Sequence, residues 1–91
     1  MSLALEGENL VIYIDTRVNK ILSTNDDPME LFMFLGEIAG ELSKLMNCLT
    51  KKEMEMYQEQ YQGFYAFMNF FQDVSLTLAR EMASSSASTH H

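Results

Sequence analysis

Two stretches of this chain place apolar residues at alternating steps of four and three, and that repeat admits only one kind of secondary structure. In the second segment the positions are Leu31, Leu35, Ile38, Leu42, Leu45 and Leu49. In the third they are Met54, Tyr57, Tyr61, Phe64, Met68, Phe71, Ser75, Leu78 and Met82, with Ser75 the one polar member. A period of about 3.5 residues holds one face of an α-helix against a neighbour, whereas a strand needs alternation at two. One proline and four glycines in 91 residues leave such helices largely uninterrupted.

The helix limits are written in capping residues. Asp27 is placed to cap a helix that opens with Pro28, and Glu30 suits the positive end of its dipole. Thr50-Lys51-Lys52-Glu53 is a T-x-x-E capping box, in which Thr50 and Glu53 satisfy free N–H groups reciprocally. The connection at Thr50 is so short that the flanking helices either fold back as a tight hairpin, the favoured reading, or run on with a kink. In the first segment Val11, Ile14, Val18 and Ile21 keep helical spacing, although Leu10-Val11-Ile12-Tyr13-Ile14 is β-prone. A lone strand would find no partner strand here, so a helix is the economical reading.

These signals predict an all-α fold: a three-helix up-down arrangement with a long C-terminal helix, completed as a helical bundle by dimerisation. The expected helices cover about residues 8–24, 28–49 and 51–82 within one domain, 8–83. Residues 1–7 read as an N-terminal extension, partly vector-derived. Residues 84–91 read as a disordered tail ending in the tag remnant His90-His91. With those two set aside, the folded part has no histidine, and so lacks the commonest general base and metal ligand.

A net charge of −7, with six scattered Lys and Arg, disfavours nucleic acid and anionic membrane surfaces. No apolar run approaches the roughly 20 residues that span a bilayer. Cys48 is the single cysteine, so nothing requires an oxidising compartment, and a cytoplasmic setting is expected. No nucleophilic triad or phosphate loop is present, and no cofactor is implied.

Partner surfaces are more legible than chemistry. From Gln60 to Gln72 there is no charge, and six of thirteen residues are aromatic: Tyr61, Phe64, Tyr65, Phe67, Phe70 and Phe71. Either this helix is central and touches both others, or its excess width meets another chain. The expectation is the latter: a homodimer that also binds another protein, anchored by Tyr61, Phe64, Phe67, Phe70 and Phe71. Gly36, Ala39, Gly40, Ser43 and Asn47 share a further face that invites close approach of a helix. Eight methionines suit either a core or an adaptable binding groove.

One acidic constellation points elsewhere. Glu37 and Glu41 lie a turn apart, and Asp73 falls on the long third helix. The segment Leu35-Gly36-Glu37-Ile38-Ala39-Gly40-Glu41-Leu42 resembles the E-E-x-x-E element of all-α nucleoside triphosphate pyrophosphatases of the MazG type, and Phe70-Phe71-Gln72-Asp73 resembles their later E-x-x-D. The resemblance implies a Mg²⁺ site on Glu37, Glu41 and Asp73 for attack of water on a triphosphate. Ile38 and Phe70 stand where that family has glutamates, which removes two of five carboxylates from a cation that relies on oxygen ligands. The leading expectation is therefore a non-enzymatic interaction module.

Overall fold

A computed structural model of the chain describes residues 3–24 and 27–88, with side chains described for 6–24 and 27–84. Every element among the described residues is α-helical: α1 (Leu3–Thr24), α2 (Pro28–Glu37), α3 (Ala39–Cys48), α4 (Lys51–Gln60) and α5 (Gln62–Ser88). The β-prone run 10–14 is helix, because Val11, Ile14, Val18 and Ile21 form one buried face that no strand could share. Met1, Ser2, Asn25, Asp26 and the tag remnant at 90–91 lie outside the described residues.

Both capping signals act as the sequence implies. The Asp27 carboxylate accepts from the Met29 N–H at 3.0 Å, with Pro28 in the first turn. At the other boundary Glu53 N–H donates to the Thr50 hydroxyl at 3.1 Å, and Thr50 N–H donates to the Glu53 carboxylate at 3.0 Å. Each cap of this kind contributes about 1 kcal/mol.

Four boundaries differ from expectation. α1 starts at Leu3, so residues 3–7 belong to the helix. Gly7 is buried there because a Cβ would come within 2.7–2.9 Å of Leu49, which brings α1 close to the end of α3. The expected helix 28–49 is interrupted at Ile38, whose φ of −105° and ψ of 11° lie off the helical values. Two glycines four residues apart flank or follow that break and lower the local helix propensity. The expected helix 51–82 turns a corner at Tyr61, where φ −120° and ψ 105° are extended. At the far end, α5 continues as helix through Ser88.

The Tyr61 corner is made by a residue far away in sequence. No side chain near it can cap α5, since Tyr61 has no short acceptor and Gln62 and Gly63 follow. Instead the Asp15 carboxylate on α1 accepts from the Phe64 N–H at 3.1 Å, and Asn19 donates to the same carboxylate at 3.3 Å. Negative charge at a helix N-terminus is favourable in itself. Gly63 permits the approach: a Cβ there would lie 2.6–2.7 Å from oxygens of Asp15 and Asn19.

The described core is wholly apolar, drawing on all five helices. α1 packs most extensively on α5 and next on α3, with α4 folded against α5. Phe34 of α2 stacks near Phe67 of α5, ring centres 5.6 Å apart, with Tyr13 of α1 6.0 Å from Phe34. Arg17 lies over the Phe34 ring at 4.8 Å and pairs with Glu37 at 3.7 Å, tying α1 to α2. Beyond Val74 no described residue of α5 is buried, so its last turns project from the body.

Candidate functional site

An apolar opening on the surface lies between α2–α3 and the projecting part of α5. One wall is Phe32, Leu35, Gly36, Ala39, Ser43 and Met46; the other is Phe71, Val74 and Leu78; Leu42 forms the floor. The groove has a volume of about 390 Å³, and none of its lining residues is charged. Helical spacing explains the walls. Phe32, Gly36, Ala39, Ser43 and Met46 recur at steps of three and four, and so do Phe71, Val74 and Leu78.

The wall side chains are bare in a way that core residues are not. Phe32 is 52% exposed, Met46 54% and Leu78 52%, while Met82, one turn further along α5, is 72% exposed. A Cβ built at Gly36 or Gly40 meets nothing within 4 Å. Among the described residues, the small-residue face that sequence reading assigned to a close helix neighbour therefore has no such neighbour at Gly36 or Gly40.

Charge is kept off this side of the helix pair. Glu37 turns to Arg17 on α1, and Glu41 pairs with Lys44 at 3.3 Å. Glu41 and Lys44 line a separate, more polar depression with Glu6, Asn9 and the half-buried thiol of Cys48, between α1 and α3. The titration anomaly also lies away from the groove. Burial raises the Tyr57 hydroxyl above its ordinary value, and Glu8, Glu53 and Tyr61 push it the same way.

The aromatic residues expected as partner anchors separate into different roles. Phe64 and Phe67 are fully buried in the chain's own core, Phe67 because α2 presents Phe34 to it. That places α5 in contact with both α1 and α2, the arrangement in which a wide aromatic belt is internal. Tyr61 sits at the corner with its ring 6.2 Å from that of Tyr57. Phe70 is half-buried outside the groove. Only Phe71 of the five lines the groove. Phe32, Met46 and Val74 were missed as wall residues. The signal that could have found Phe32 and Met46 was the small-residue face itself, whose flanks they form; Val74 belongs to the opposite wall, on α5.

Glu37, Glu41 and Asp73 do not converge. Among the described residues no three His, Cys, Asp or Glu side chains are grouped so that they could hold a metal ion. Asp73 is exposed on α5, and the two glutamates are engaged with cations on the α1 side of the helix pair. Among the described residues no helix is long and apolar enough to cross a membrane. No protein-family profile, curated protein or solved structure matches the chain.

Proposed function

We propose that this chain is a non-enzymatic helical interaction module, a small regulator, adaptor or chaperone-like binder, that receives an amphipathic helix in the groove between α2–α3 and α5. It works as a homodimer in which the up-down helices of each copy are completed into a bundle, and it meets a further protein partner in the cytoplasm. The observation that carries this reading is the open, uncharged groove on a chain of net charge −7. An acidic protein keeps a continuous surface free of charge at a cost in solubility, and that cost is offset when the surface is covered. Helix-in-groove recognition uses anchors at steps of three and four, the spacing that Phe32, Gly36, Ala39, Ser43 and Met46 offer. Methionine in a wall suits a partner that repacks on binding.

Two measurements test the reading together. Sedimentation equilibrium over a hundredfold range of concentration should show a mass rising from monomer to dimer, and Met46→Glu should hold it at monomer with helicity unchanged. Nile red, a neutral apolar probe, should brighten with the wild-type chain and lose that response in Met46→Glu. A mass that stays monomeric together with an unresponsive probe removes the groove as a binding site.

A further inference from the structure

The groove has an occupant within reach of its own sequence. We infer that it receives the projecting half of α5 from a second copy of this chain, so that two α5 helices lie antiparallel across a two-fold axis, each against the α2–α3 face of the other. The inference rests on the groove reading above and assigns the element that fills it.

Self-complementarity is the first argument. A two-fold interface needs both halves of the contact on one surface of each copy. Here the α2–α3 wall is a trough in which Gly36, Ala39 and Ser43 lie between Phe32 and Met46, open above Gly36. The facing wall is a ridge: at 100° per residue Val74, Leu78 and Met82 form one apolar stripe on α5 with Glu81 at its edge, while Asp73 and Arg80 point the other way. Small residues admit close approach of a helix backbone, and a ridge of larger apolar residues packs into such a trough.

Area is the second argument. Phe32, Met46, Leu78 and Met82 are all at least half exposed. With about 100 Å² bare on each, those four side chains alone come to roughly 400 Å² per chain, about half of the ~800 Å² per partner of a standard stable interface. Length is the third. From Val74 to Ser84 α5 runs about 15 Å with no residue past Val74 buried by its own chain, enough to span the 10-residue α3 of a partner.

Charge supplies a signature. Two copies of net charge −7 repel at long range, while the mating surfaces carry no ion pairs to be screened. Raising salt from about 0.05 to 0.5 M should therefore tighten the dimer, opposite to an interface held by salt bridges.

Charge complementation decides the occupant. Leu78→Glu on the ridge and Ser43→Lys in the trough should each weaken self-association at least about a hundredfold, because a charge would be enclosed without a partner. Mixed in equal amounts, the two variants should form a heterodimer at least about tenfold tighter than either variant alone, since one half of the interface is wild type and the other holds a Glu–Lys pair. Leu76→Glu, on the far side of α5, should leave association unchanged. Variants that dissociate singly and fail to rescue one another overturn the α5-in-trough pairing while the groove stands as the interface. A wild-type chain that stays monomeric while binding Nile red at the groove also overturns it, and leaves a foreign helix as the occupant. A dimer untouched by both single variants overturns both the pairing and the groove.

Discussion

The two halves of α5 have similar sequence patterns and opposite fates. From Gln62 to Phe71 the helix buries Phe64, Phe67 and Met68 against neighbours; from Ser75 onward Leu78 and Met82 continue the same spacing with nothing over them. The difference is set by what the rest of the chain can reach. α1 and α2 meet the first half, and neither extends over the second. Periodicity therefore records which face of a helix is meant to be covered, but not whether the cover belongs to the same molecule.

Substitutions can break that contrast or sharpen it. The largest effect is expected at Phe67, where truncation to Ala opens a cavity beside Phe34 and should cost about 3–5 kcal/mol in urea denaturation. Leu78→Ala, measured on the monomer, should change stability by less than about 0.5 kcal/mol. Equal losses at the two positions would erase the distinction between the halves. Gly63→Ala is next. Its methyl would press on Asp15 and Asn19, and a thermal melt should show about 1–3 kcal/mol lost. Asp15→Ala should cost about 1 kcal/mol and speed hydrogen exchange selectively at Phe64 and its neighbours, while leaving the exchange of the projecting turns as it was. Asp15→Asn, which keeps an acceptor, should recover much of that loss.

The smallest effect is a pH dependence confined to the body. The raised Tyr57 hydroxyl keeps its proton in the folded chain at pH values where the unfolded chain has released it. Stability should therefore decline as pH rises through about 10, and Tyr57→Phe should flatten that decline. The projecting half of α5 carries no tyrosine and should show no such response.

Much of this was legible in the sequence, and the reasons for the remainder are physical. Val11, Ile14, Val18 and Ile21 announced a buried face through spacing alone, and Asp27 and Thr50-x-x-Glu53 announced helix starts because those caps are local. The corner at Tyr61 was not legible, because its cap is supplied by Asp15 through the tertiary fold. Phe34 lies outside the four-three stripe of its segment. It reaches the core because it stands three residues after Leu31 and four before Ile38, on the same buried face. Phe67 was expected as a partner anchor and is buried against Phe34, because which helix covers that face is set by the tertiary fold. For the groove, the Gly36–Gly40 face was visible as an anomaly, but its openness depends on where α1 lies, on the other side of the helix pair.

The latch between Asp15 and the Phe64 N–H joins residues 49 apart in the chain. In the order of synthesis α1 is complete long before α5 exists. The carboxylate that will define where α5 begins must therefore stay solvated until the last helix arrives. A bend that looks like a local turn is thus governed by loop closure, and it belongs to the late part of folding rather than to the first helical turns that nucleate. Until the two ends of the chain meet, nothing in the sequence around Tyr61 tells the growing helix to stop.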